Sequence, residues 1–245
     1  MSGSVRTDRL EDGVLLLALD RPHAANALDP ATTQAFAEGL RRAQEDAAIR
    51  AVILTGGGEK VFSAGVDLKN PDGLPEEAVA RRRSESLTGV LDAMLGFTKP
   101  LVVAVNGAAV GGGCMVALLG DQVVVSEAAY FSLPEIEIGM PTFIGLELLT
   151  VLGGGAFAAD LVLTGRRMPA EEAARRGLAT VVPRGELIAT AEAVARSLAS
   201  KPRLAYRLVK AAVLRARREA IERGLRESEA TRPVLRAAAE RRHAP

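Results

Sequence analysis

Three short stretches gather residue types that could do chemistry. The first, Val61-Phe62-Ser63-Ala64-Gly65-Val66-Asp67-Leu68, lies just beyond Gly56, Gly57 and Gly58. The second runs Val105-Asn106-Gly107-Ala108-Ala109-Val110-Gly111-Gly112-Gly113-Cys114, and the third Phe131-Ser132-Leu133-Pro134-Glu135-Ile136-Glu137-Ile138-Gly139. Glycines let a backbone approach a ligand closely and turn its N–H groups toward it. A glycine triplet opening a helix also offers N–H donors without intrahelical partners, backed by the helix dipole. Such a place suits a phosphate or a developing oxyanion. A tight strand-to-helix turn that needs small residues for packing accounts for the same triplet. Glu135 and Glu137 stand in the otherwise apolar segment from Tyr130 to Met140. A carboxylate among apolar groups has its pKa raised, which fits it for general acid or base work. Two loop acids facing water are the alternative.

Other chemistries lack their residues. There is no GxxxxGK[ST] string for a P-loop, and no GxGxxG followed by an acid at dinucleotide-binding distance. Ser63-Ala64-Gly65 is half of a GxSxG elbow, but Val61 stands where the first glycine belongs. The histidines are His23, beside Pro22 as a turn residue would be, and His243 in a terminal tail. With Cys114 the one cysteine, neither a disulfide nor a metal-ligand spacing arises, and no metal is expected.

The elements that must position these stretches alternate. Val14 to Leu19, Ala51 to Thr55, Leu101 to Val105 and Gln122 to Val125 read as buried strands. Between them Pro30 to Ala47 reads as a helix with Asp29 as N-cap and Pro30 in the first turn. Pro75 to Leu95 and Cys114 to Leu119 read as further helices. The alternation predicts an α/β architecture with parallel pairing. Beyond Gly139 the pattern turns helical: Gly145 to Leu152, Ala156 to Leu163, Ala170 to Arg176, Leu187 to Ala199, and the chain from Pro202 onward. A subdomain boundary is expected between 185 and 205, giving a core over 1–195 and a helical region over 196–245.

The 245 residues are 48% hydrophobic, with no Trp, so the core is aliphatic. A formal net charge of +1 supplies no global attraction to nucleic acid or membranes. From Lys201 to Arg242 basic residues outnumber acids, which fits an anion-binding face, a solvated helix face or a helix packed on a neighbouring subunit. Met1 to Arg9 has no apolar run of a signal peptide, and no segment reaches the ~18 apolar residues of a membrane span. A cytoplasmic protein is the expectation.

Together, and in this order, the three stretches resemble the crotonase (enoyl-CoA hydratase/isomerase) superfamily. Arg21-Pro22 followed by Asn26-Ala27-Leu28 resembles its N-terminal signature. Leu163-Thr164-Gly165-Arg166, Ala170 to Gly177 and Val181-Val182-Pro183 resemble a later one, so the likeness spans about residues 10 to 215. The resemblance implies a spiral of ββα turns with a helical C-terminal trimerisation region, and a homotrimer or a hexamer built of two trimers. It implies an acyl-CoA substrate, with coenzyme A as part of that substrate and no permanently bound cofactor. By motif position the thioester oxygen would lie between the N–H groups of Val66 and Gly112. Ala64, Gly65, Val66, Asp67 and Leu68 would meet the CoA moiety, as would Ala24 in the N-terminal loop.

The departure from the family is Met115. Hydratases of the family carry two glutamates, one two residues beyond the glycine triplet and one in a Pro-Glu pair. Here the first position is Met115 and the second is Glu135, after Pro134. Hydration needs a water held and deprotonated and a proton delivered to carbon, work that two carboxylates share. Shifting a double bond needs one carboxylate to take a proton from C2 and return it at C4 while an oxyanion hole holds the dienolate. Phe62 to Leu68 and Gly112 to Leu118 also resemble mitochondrial Δ3-Δ2-enoyl-CoA isomerases, which carry an apolar residue at that position. The expected activity is therefore conversion of a 3-enoyl-CoA to a 2-enoyl-CoA with Glu135 as acid and base. Glu137 is the weaker alternative, since in an extended segment its side chain points the opposite way. The rivals are a single-glutamate hydratase, a specialised lyase or decarboxylase, a thioesterase, and a non-catalytic acyl-CoA-binding protein.

Overall fold

The computed structural model describes residues 4–69 and 72–242, which leaves His243 outside the described residues. The chain begins with strands β1 (Val5–Arg9) and β2 (Val14–Leu19), followed by helix α1 (Pro30–Glu45). The Asp29 carboxylate caps α1 by accepting from the Thr32 N–H at 2.7 Å. Three turns of strand, strand, helix follow. They are β3 (Ala51–Gly56), β4 (Val61–Ser63) and α2 (Glu76–Gly96); β5 (Leu101–Val105), β6 (Ala108–Val110) and α3 (Gly112–Leu118); then β7 (Gln122–Ser126), β8 (Tyr130–Ser132) and α4 (Phe143–Gly153). The chain continues through α5 (Gly155–Thr164), β9 (Met168–Pro169), α6 (Ala170–Arg175), β10 (Thr180–Val182), α7 (Leu187–Ala199) and α8 (Arg203–Arg242). This is the expected mixed α/β architecture of ββα turns with a C-terminal helix.

The first strand of each turn enters one sheet, ordered β1-β2-β3-β5-β7-β10, parallel except for β1 against β2. Both faces of that sheet are covered, so its inner strands read as unbroken apolar runs rather than alternating ones. Leu17, Val52, Leu54 and Val103 face the side of α1, α2 and α3, while Val14, Ala51, Ile53 and Val102 face Leu187, Ala191 and Ala195 of α7. Each fully buried Leu or Ile contributes about 1.5–3 kcal/mol.

The second strand of each turn enters a smaller sheet, ordered β4-β6-β8-β9. Val61 pairs with Ala108 and Ala109 with Phe131, both parallel, and Phe131 pairs antiparallel with Met168. None of these strands, nor β1 or β10, is among those that the apolar runs predict. Parallel pairing in this sheet has a direct consequence. The C-terminal ends of β4, β6 and β8 lie side by side, and the three chemistry-bearing stretches leave from those ends.

Helix α8, 40 residues and about 60 Å long, is fastened to the large sheet by a buried polar cluster. Lys210 Nζ donates to an Asp121 carboxylate oxygen and to the Lys99 carbonyl, each at 2.7 Å. The Tyr206 hydroxyl donates to the same Asp121 oxygen at 2.8 Å, and Arg217 donates to the Leu119 and Gly120 carbonyls at 3.0 Å. Burial lowers the Lys210 pKa, and the Asp121 charge opposes that shift. No helix among the described residues is long and apolar enough to cross a membrane.

Candidate active site

The loop after β4, residues 64–68, is held against the N-terminal loop that carries Ala24. Ala64 N–H donates to the Ala25 carbonyl (2.9 Å), Leu28 N–H to the Gly65 carbonyl (2.8 Å) and Asp67 N–H to the Leu28 carbonyl (3.1 Å). The Ser63 hydroxyl adds a bond to the Asn26 carbonyl at 2.8 Å. Ala25 and Asn26 both take left-handed backbone conformations, with φ of 51° and 52°. That folds the N-terminal loop back toward Ala64. Asn26 fixes the arrangement. Its side-chain oxygen accepts from the Arg21 N–H (2.9 Å), and its side-chain amide donates to the Gly57 (2.9 Å) and Val61 (2.8 Å) carbonyls. Arg21 supports the same loop through the Ala27 carbonyl (2.9 Å) and ion pairs with Asp29 (3.0 Å) and Asp67 (3.6 Å). Replacing Asn26 by Ala strands three fully or partly buried partners and is expected to cost about 3 kcal/mol of unfolding free energy. Urea titration reads this directly.

Gly65 brings this loop onto the start of α3. Its φ is +84°, and a Cβ there would lie 2.8 Å from both the Gly112 nitrogen and the Val110 carbonyl oxygen. On the facing side, a Cβ on Gly112 would lie 3.4 Å from Val66 Cγ2 and 3.6 Å from the Val66 nitrogen. The amides of Val66 and Gly112 are therefore close neighbours across the gap between the two loops. Neither is spent on a turn, loop or cap hydrogen bond among the described residues. Gly112 is the first residue of α3, so its N–H has no intrahelical carbonyl to meet.

Glu135 closes the third side. It lies in a 3-10 turn spanning Pro134–Ile138, not in an extended segment. The expected divergence of Glu135 and Glu137 is present, but its cause is the turn: at 3.0 residues per turn, positions two apart lie about 240° around the axis. The Glu135 side chain reaches the glycine triplet, with Oε1 2.9 Å from where a Cβ of Gly111 would stand. Glu137 is exposed and turns away to Gly165, where its Oε1 lies 3.2 Å from the Cβ position.

The Glu135 carboxyl is deeply set, and its Oε2 is occluded with no hydrogen-bond partner. Burial pushes its pKa up to about 7, with a smaller opposing effect from its own backbone N–H. Burial, together with the Glu135 charge, also raises the Cys114 thiol pKa, so Cys114 stays a protonated thiol. Met115, 4% exposed, packs beside Leu133 and Gly145: its Cε and Leu133 Cδ1 lie 3.2 and 2.9 Å from the Cβ position of Gly145. Leu87 of α2 reaches the triplet from above, with Cδ1 3.0 Å from the Cβ position of Gly112. Around the glycine triplet the structure thus gathers the Leu87 side chain, two unspent amides and the raised-pKa carboxyl of Glu135.

The structure brings Ala64, Gly65, Val66, Gly112 and Glu135 together and places the Ala24 loop beside them. Asp67 is tied to Arg21, and Leu68 lies on the surface, 50% exposed. The supporting roles of Asn26, Leu87 and Gly145 do not follow from residue type or spacing. The Asn26-Ala27-Leu28 string marked the first of them as part of a motif, without its bonds to Gly57 and Val61.

A sequence model of the enoyl-CoA hydratase/isomerase family matches residues 9–240. A carnitinyl-CoA dehydratase of Salmonella typhi is 40% identical over 201 residues, 80% of this chain and 75% of that protein. Among solved structures, the fold is similar to an enoyl-CoA hydratase from Bacillus anthracis, with a TM-score of 0.77 and 31% identity, over 97% of this chain and 96% of that one. It is also similar to a carnitinyl-CoA dehydratase from Mycobacterium avium 104, with a TM-score of 0.79 and 31% identity, over 94% and 92% of the two chains.

Proposed function

The chain belongs to the enoyl-CoA hydratase/isomerase family of crotonase-type enzymes, and we propose that it moves the double bond of a 3-enoyl-CoA into conjugation with the thioester. The observation that carries this reading is the raised-pKa carboxyl of Glu135 beside the glycine triplet and its two free backbone donors, with the apolar Met115 two residues beyond that triplet.

The thioester oxygen accepts from the N–H groups of Val66 and Gly112. Those donors hold the negative charge that develops on oxygen as the C2–H bond breaks. Glu135, ionised, takes the C2 proton; the electrons pass into the thioester, and the dienolate forms. Glu135 then returns that proton at C4, and C2=C3 remains as the product double bond. Proton and electrons balance within the substrate, so no water enters. Met115 and Leu133 keep the carboxyl desolvated between the two transfers. Ala24 and the segment Ala64 to Leu68 contact the CoA moiety, and the glycine at 65 lets that segment lie close to α3. Copies of the chain associate as a homotrimer or hexamer through α8, which exposes Leu208, Val209 and Val213.

A second reading, hydration or dehydration through Glu135 alone, is favoured by the relatives named carnitinyl-CoA dehydratase. Incubation with a 3-enoyl-CoA and, separately, a 2-enoyl-CoA tells the two apart by absorbance and mass. Conjugation of the first without mass change, and no gain of water by the second, supports isomerisation. A gain of one water by the 2-enoyl-CoA overturns the argument from Met115 and makes the enzyme a hydratase.

The pKa of Glu135 sets the pH dependence. The base must be ionised in the free enzyme, so kcat/KM is expected to rise with pH through an apparent pKa near 7 and then level off. An ascending limb near 4.5, the ordinary carboxylate value, would show that the working carboxyl is not desolvated.

A further inference from the structure

At the opposite end of the large sheet, where β3 and β5 begin, a cavity of about 420 Å³ opens against the first turn of α8. Arg50, Lys99, Lys201, Arg203 and Arg207 line it, with Tyr206, and no carboxylate does. Among the described residues none of these five cations forms an ion pair with an acidic side chain. The Lys99 ammonium is buried beneath the cavity and held by the Ala43, Asp46 and Ile49 carbonyls at 2.7–2.9 Å. It therefore acts as a fixed charge rather than a free donor, and Arg203 is close enough for its own charge to disfavour that of Lys99. Arg50 uses one guanidinium nitrogen on the Ala199 carbonyl at 2.8 Å and keeps its remaining donors. Two acids lie near the cavity: Asp46, whose charge favours that of Lys99 and which pairs with Arg9, and Asp121, one carboxylate oxygen of which accepts from Tyr206, Lys210 and the Leu101 N–H.

A concavity lined by five cationic side chains and by no carboxylate is an electrostatic funnel for anions. Its donors match the geometry of phosphate oxygens: guanidinium forks on Arg50, Arg203 and Arg207 and an ammonium on Lys201. The N–H groups of the first residues of α8 open at the same place, and Pro202 before them supplies no capping side chain. We propose that this cavity binds a small multivalent oxyanion of the diphosphate class, at a site separate from the acyl-CoA loops. The separation is topological: the cavity sits at the N-terminal ends of β3 and β5, whereas the candidate active site sits at the C-terminal ends of β4, β6 and β8. This assigns a role to the basic start of the C-terminal helix that the proposed reaction leaves unused.

The test is calorimetric titration of the full chain with inorganic pyrophosphate at low ionic strength. Saturable binding is expected, falling steeply as salt rises because the contacts are ionic. The triple variant Lys201→Gln/Arg203→Gln/Arg207→Gln replaces exposed side chains only, and its fold is checked by circular dichroism. It is expected to bind at least about tenfold more weakly, the loss of roughly 1.4 kcal/mol or more. Arg50→Gln alone should weaken binding by a smaller factor, and Glu135→Gln should leave it unchanged. No binding at low salt overturns the proposal. So does unweakened binding in the folded triple variant, which would put the anion elsewhere, the acyl-CoA loops included.

Discussion

Replacing Glu135 with Gln is expected to lower turnover by about 10³-fold, within the range that a positioned acid or base supplies, while acyl-CoA binding persists. The substitution keeps the shape of the side chain against Gly111 and removes only the ability to carry a proton. Stability should move the other way. The carboxyl has a pKa of about 7 in the folded protein and an ordinary value near 4.5 when unfolded. Below pH 4.5 it is protonated in both states and costs nothing. Between 4.5 and 7 the unfolded chain ionises first and the folded state loses ground; above 7 the full penalty stands. Gln carries no such penalty, so the variant should be more stable than the parent at pH 8 by up to about 3 kcal/mol, and little different at pH 4. A lower melting temperature at pH 8, or turnover within tenfold of the parent, would remove Glu135 from the role assigned to it. Loss of activity through misfolding is distinguishable, because it cannot raise the melting temperature.

Replacing Gly65 with Ala is expected to cost about 10²–10³-fold in kcat, the effect of losing one oxyanion donor. The added methyl would lie 2.8 Å from two backbone atoms, the Gly112 nitrogen and the Val110 oxygen. Neither can turn aside as a flexible side-chain end would. The backbone at +84° is also strained for any residue with a Cβ. The loop must therefore back away from α3, which separates the amides of Val66 and Gly112. Because those donors act on charge that develops during reaction, kcat should fall more than substrate affinity. Unaltered kcat in this variant would mean that the two amides do not share the thioester oxygen.

Much of the large sheet can be read from the sequence because its strands are buried on both faces. Val14 to Leu19 and Leu101 to Val105 stand out as apolar runs bounded by turn residues, and both have those bounds in the structure. The helix ends also follow local chemistry: Asp29 and Pro30 mark the start of α1, and Leu187 to Ala199 is α7. The small sheet escapes the same reading. Its strands are two or three residues long, too short to show any period. Three of them, β4, β6 and β8, also overlap the glycine- and acid-bearing stretches, where residue type masks the strand. The start of α3 falls two residues earlier than expected because Gly112 and Gly113, poor helix formers, are its first residues. Strand β1 is polar, an edge strand paired on one side only to β2, and its composition hides it. At the site, Glu135 and the glycine triplet are legible through residue type. Asn26 is not, because its partners Gly57 and Val61 are 31 and 35 residues away. Only the fold brings them into reach.

The cross-bonding around Asn26 also bears on how the site moves. Local opening in proteins proceeds in contiguous cooperative units, and here the unit is set by side-chain and backbone bonds that run from Arg21 through Asn26 to Val61 and Ala64. Swinging the loop bearing Ala24 out while the loop bearing Val66 stays closed breaks the Leu28 N–H bond to the Gly65 carbonyl and the Asn26 bond to Val61. The two walls that would flank an acyl-CoA are therefore expected to open as one unit. A ligand that grips either wall is expected to slow amide-hydrogen exchange in both the 21–28 and the 61–67 segments, including positions it does not touch.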